Sequence, residues 1–179
     1  MHFELLITGP IPNGKGNKNL DSRNALRMQV HEQLERLWQF EPIKDRSDLR
    51  DGSHNIFKHE KNFVVLAGYD GKAACEIKVV FYEPEGSLEV ASQVADADNR
   101  LAGLLDLLAI PVDPQAAALL PNPTFVLLEN DRLVWSIEVQ RKRLLRKIEN
   151  RDVFTRLVVR IIPTAPTLDN IALIDIPAH

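Results

Sequence analysis

An α+β domain, a mixed β-sheet with helices packed on it, is the fold this sequence predicts, and three observations carry the expectation. Segments alternating with period two outnumber segments with a helical period, the two kinds are not regularly interleaved, and no repeat or low-complexity tract divides the 179 residues. A doubly wound parallel sheet would need strand and helix in turn. With 45% hydrophobic residues the chain can bury one substantial core, so residues 1–179 read as a single domain.

The elements follow in order. "HFELLIT" is a first strand, ended by "GPIPNGKGNKN", whose glycines and prolines enforce a loop. Asp21 or Ser22 can then cap a helix on which Leu26, Val30, Leu34, Leu37 and Trp38 share one side. Residues 41–62 are polar without a clear period and read as irregular. "NFVVLAGY" and "AACEIKVVFY", separated by "DGK", predict a hairpin, because Asp-Gly favours positive φ. After "EPEGS" comes a helix with Leu101, Leu104, Leu105 and Leu108 on one stripe, closed by Pro111 and Pro114. "TFVLLEND" leads into a strand in which Leu133, Trp135, Ile137 and Val139 alternate with Val134, Ser136, Glu138 and Gln140, the period of a half-buried strand. "FTRLVVRII" is a last strand, and the tail from Pro163 reads as an extended arm.

Composition narrows the function. No apolar run approaches the roughly 20 residues of a membrane helix, and "MHFELLITGP" reads as structure rather than as a leader. The lone Cys75 has no internal partner, which fits a reducing, cytoplasmic setting and argues against a cysteine zinc cage. A net charge of -3 hides an asymmetry: Gly71 to Asn130 holds three basic and nine acidic residues, Arg132 to Arg160 nine basic and three acidic. An acidic centre beside a basic arm suits a metal-assisted enzyme acting on a polyanion, and two solvated faces would look the same.

Several motifs lead nowhere. Gly9, Gly14 and Lys15 have the spacing of a phosphate-binding loop, but Gly16 stands where a hydroxyl is needed, and Pro10 and Pro12 remove backbone donors. His31, His54 and His59 lack the spacing of a metal set. No Gly-x-Ser-x-Gly elbow is present.

The aspartates of "VADADNRLAGLLDLL" remain. If the segment is extended, Asp96 and Asp98 point to the same side and can share one Mg2+, which takes one or two carboxylates together with water and substrate phosphate. Such an ion would polarise a phosphodiester and activate a water. Glu129 and Asp131 offer further carboxylates before a strand. The alternative is that Asp98 or Asn99 caps the helix and no metal is involved.

"DADNRLAGLLDLL" followed by "LENDRLVWSIEV" resembles the RusA-type Holliday-junction resolvases, over roughly Glu76 to Ile161. Asp96, Asp98 and Asn99 match the family's Asp-x-Asp-Asn at the head of a helix, Asp106 the later aspartate of that helix, and Asp131 the downstream catalytic acid. The resemblance implies a homodimeric, Mg2+-dependent endonuclease cutting four-way DNA junctions. Asp96, Asp98 and Asp131 would then hold the metal, with Glu129 accessory, while Arg100, Arg141, Lys142, Arg143, Arg146 and Lys147 contact phosphates. Where the family carries a lysine three residues after its Asn, this chain has Ala102. On a helix Arg100 lies about 200° around from Asp98, so it does not take that lysine's place. Ala102 favours a second expectation, a member that binds nucleic acid or a protein partner without cutting. A structural or assembly protein that has kept only the fold is the third.

Overall fold

Apolar alternation, read strand by strand, decides which faces meet. The computed structural model describes residues 1–12, 20–44, 46–84, 94–144 and 154–165. Within them run β1 (His2–Thr8), α1 (Leu20–Leu37), α2 (Ser47–Asp51), β2 (Asn55–Lys58), β3 (Lys61–Ala67) and β4 (Ala73–Pro84). They are followed by α3 (Val94–Leu108), α4 (Pro114–Ala118), β5 (Thr124–Leu128), a 3-10 turn (Asp131–Leu133), β6 (Val134–Leu144) and β7 (Phe154–Pro163). The fold is α+β with mixed sheets, as expected. The tail from residue 166 and most of the glycine-rich loop lie outside the described residues.

Two sheets form. The larger has the order β1-β7-β4-β6, with β7 antiparallel to both neighbours and β4 parallel to β6; the smaller has the order β2-β3-β5, with β3 parallel to β5. One face of the larger sheet, including Leu5, Ile7, Ile77, Val79, Phe81, Leu157 and Val159, packs in the main core with the α1 stripe of Leu26, Val30, Leu34 and Trp38 and with Leu104, Leu107 and Leu108 of α3. Burying each such large side chain contributes about 1.5–3 kcal/mol. The smaller sheet is buried on both faces: Val64 and Leu66 enter the main core, while Phe63 and Val65 join Ile110, Ala117, Leu120 and Val126 in a second cluster. A strand covered on both sides reads as a continuous apolar run, which is what "FVVLA" is.

Several expectations are corrected. "DGK" does make a tight turn, with Lys72 N–H donating to Tyr69 O at 3.0 Å and Ala73 N–H to Gly68 O at 3.1 Å, but β3 and β4 diverge into different sheets instead of forming a hairpin. The positive φ of 47° falls on Lys72. Gly71 is needed for space: a Cβ there would stand 2.8 Å from the His54 ring. Residues 41–62 contain α2 and β2 rather than irregular chain. Asp21 and Ser22 lie inside the first turn of α1, not before it. α3 ends at Leu108, and Pro114 opens α4 as its first residue, with Asp113 capping by accepting the Gln115 N–H at 2.9 Å. Of the β6 alternation, Leu133 is buried in the 3-10 turn and Ile137 packs partly on the core, but Trp135 and Val139 are 59% and 39% exposed.

Candidate metal and nucleic-acid site

The helix that carries the aspartates starts earlier than their pattern suggests. α3 is helical from Val94, so positions 96 and 98 both lie within it and no longer share a side. Two residues apart on a helix are about 200° around the axis, whereas the extended segment would have aligned them. Neither Asp98 nor Asn99 is the cap, since both follow the first turn. The side chain of Asp96 is outside what is described. Asp98 is exposed and makes no hydrogen bond or ion pair among the described residues.

The rest of α3 is held firmly. Gly103 faces residue Pro12 so closely that a Cβ would run into the Pro12 carbonyl oxygen. The Arg100 guanidinium lies 4.4 Å from the centroid of the Phe81 ring on β4, a cation–π contact that also fixes the helix over the larger sheet. Ala102 is half-buried. Asp106 accepts from Arg23 Nη1 at 2.8 Å and Arg27 Nη2 at 2.9 Å, both on one oxygen, with the Arg side chains 4% and 6% exposed. Arg27 also donates to Asn24 Oδ1 at 3.2 Å. Burial depresses the Arg27 pKa and the Asp106 carboxylate opposes that shift, so this aspartate holds two buried cations and ties α1 to α3.

The second acidic pair leads into β6. Ala109, just past α3, bridges Leu128, and Ile110 N–H donates to Leu128 O at 3.1 Å, so the far end of α3 from the aspartates adjoins the strand preceding Glu129. Glu129 Oε2 accepts the Tyr69 N–H at 2.8 Å and so closes the turn before β4. Asn130 caps the 3-10 turn by accepting the Arg132 N–H at 2.9 Å. Asp131, in the first turn beyond that cap, is exposed. Among the described residues, no three His, Cys, Asp or Glu side chains gather as a metal-holding group, which covers Asp98, Glu129 and Asp131 together but not a set that includes Asp96. Asp98, exposed and with no side-chain partner among the described residues, could meet an ion carried in with phosphate.

Of the cations, Arg141 and Lys142 are exposed on β6, and Arg143 occupies the next strand position. Arg146 and Lys147 lie outside the described residues. Two further basic side chains near β6 are paired: Lys78 with Glu138 at 3.0 Å and Arg160 with Glu76 at 3.4 Å. The Arg23–Asp106–Arg27 cluster was missed by pattern reading, although a signal existed: Arg23 and Arg27 extend the Val30 and Leu34 stripe backwards, and Asp106 interrupts the leucines of α3. Opposite charges on two apolar stripes predict a buried pair. The chain matches no protein-family model, no curated protein and no solved structure.

Proposed function

We propose that the chain is a RusA-like, Mg2+-dependent endonuclease acting on branched DNA. The observation that supports this reading is placement. The Asp-x-Asp-Asn stretch occupies the head of a helix, with Asp98 exposed, and the downstream acid Asp131 stands exposed immediately before a strand whose far end displays Arg141 and Lys142. Exposed carboxylates are where a hydrated magnesium ion could bridge protein and phosphate, and exposed cations are where a duplex could be gripped. Asp98 would meet the ion; Asp96 and Asp131 are further ligands only as the resemblance implies them, and Glu129 is restricted by its bond to Tyr69.

Ala102 favours a second reading, binding of structured nucleic acid without cleavage, because the position one helical turn after Asp98 lacks the ammonium that would stabilise charge on the attacked phosphate. One experiment separates the two. A labelled four-way junction is incubated with the protein and Mg2+, with linear duplex and chelator as controls. Cleavage that Asp98→Asn abolishes supports the nuclease. Junction binding without cleavage, with cleavage appearing in Ala102→Lys, supports the second reading. Neither binding nor cleavage in either protein removes nucleic acid from the proposal.

A further inference from the structure

Between α1 and α2 the chain turns tightly at residues 38–44 and 46, while Asp45 lies outside the described residues. Lys44 N–H donates to Phe40 O at 2.8 Å, Arg46 N–H to Ile43 O at 3.2 Å and Leu49 N–H to Arg46 O at 3.1 Å. Trp38, Ile43 and Leu49 are buried in the main core, and this anchorage fixes the polar residues between them. Beside them opens a cavity of about 420 Å³, whose wall includes Trp38, Ile43, Lys44, Arg46, Ser47 and Arg50. Cavities of about 300–1,000 Å³ are the size that takes a small molecule. Three cations share the wall. Asp48 and Asp51, the acids that pair with two of them, do not line it.

Cations near the end of a helix complement its negative pole, but that role puts them anywhere around the end. Here they converge on one recess. Lys44 makes no side-chain hydrogen bond or ion pair among the described residues, and Arg50 uses only Nε, toward Asp51 at 3.1 Å, so its two Nη groups have no partner among those residues. Trp38 supplies a second, independent sign: the residue is buried, and its indole Nε1–H meets no acceptor among the described residues. Buried donors in native folds are almost always paired. We propose that the cavity binds a phosphate-bearing small molecule, its phosphate oxygens held by Lys44, Ser47 and Arg50, with Arg46 shared between the ligand and Asp48. Guanidinium forks beside an ammonium suit a dianion with several oxygens better than a single carboxylate. A small rotation of the indole would bring its Nε1–H onto the same ligand. The site does not rest on the nuclease reading: it uses none of the carboxylates of α3 or the cations of β6, and it needs no Mg2+.

Trp38 can report on its own site. The chain has two tryptophans, and Trp135→Phe, at a position 59% exposed, leaves Trp38 as the sole one. The full chain with that change is titrated with pyrophosphate in the presence of chelator; fluorescence and heat of binding are followed, and circular dichroism confirms the fold. A saturable signal is expected, weakened about tenfold or more in Arg50→Glu and in Lys44→Glu, and either variant answers if the other folds poorly. Arg132→Glu, exposed and outside the cavity wall, should leave the affinity within about twofold of the parent. The absence of a saturable signal up to about 1 mM pyrophosphate overturns the inference. So does a weakening by Arg132→Glu equal to that by Arg50→Glu, which would mean general charge attraction. A four-way junction that gives the signal where pyrophosphate does not also overturns it, by assigning the cations to DNA.

Discussion

Asp106 and Asp98 lie about two turns apart on one helix and do opposite things. Asp106 faces α1, takes two buried arginines on a single oxygen and is 18% exposed. Asp98 faces water with no partner among the described residues. The lesson is that an acidic residue in a motif declares its use by what surrounds it. The family resemblance names both residues, yet packing commits one to holding helices together and leaves the other available for ligand.

The largest expected effect breaks this contrast from the buried side. In Asp106→Ala two guanidiniums stay buried with their shared carboxylate gone, and removing one partner of a buried ion pair costs about 3–5 kcal/mol. Asp98→Ala, at an exposed position, should stay within about 0.5 kcal/mol of the parent. Urea unfolding of the two variants compares them directly. Equal losses would mean that Asp98 also has a structural duty, which would weaken its assignment as a metal ligand.

A smaller effect is expected where α3 passes Pro12. Gly103→Ala must push the helix away from the Pro12 carbonyl, and such overpacking costs about 1–3 kcal/mol. Since Gly103 lies between the two aspartates, the displacement should disturb both ends of the helix. The mid-point of urea unfolding reads the cost. An unaltered mid-point would show that the contact gives way cheaply.

These elements also show how far the sequence could be read. The stripes of α1 and α3 were legible because a 3.6-residue period is local, and the limits of β1 and β7 because turn residues or alternation mark them. Sheet membership was not legible. The turn at "DGK" is real, but whether the following strand pairs with the one before depends on β7, about eighty residues away, which takes the place beside β4. The start of α3 was misplaced for a related reason: aspartates suit both a cap and a helical first turn, so their identity could not say which side of the boundary they occupy. For the site, the exposure of Asp98, Asp131, Arg141 and Lys142 followed from their polarity. The bond from Tyr69 to Glu129 could not, because it joins residues sixty positions apart.

The smallest effect concerns another buried charge question, this time one the fold settles by keeping a group neutral. His31 on α1 is 6% exposed, and its Nδ1 accepts the Phe125 N–H of β5 at 3.0 Å, so the ring proton sits on Nε2. Burial holds its pKa below the ordinary 6.5, against a weaker opposing pull from Glu35 and Glu32. Protonation would put a second donor opposite the Phe125 N–H. The unfolded chain thus takes up the proton first as pH falls: stability is unaffected by this group above 6.5 and declines below it until the folded pKa is passed. The lowered carboxyls of Glu4, Asp48 and Glu138, each paired with Arg or Lys, act only in the more acidic carboxylate range. Melting temperature should therefore fall between pH 7 and pH 5 in the parent. It should fall less in His31→Asn, whose side-chain oxygen can still accept the Phe125 N–H but does not titrate. Parallel declines in the two proteins would place the proton uptake elsewhere, and would leave the α1–β5 contact without a role in acid sensitivity.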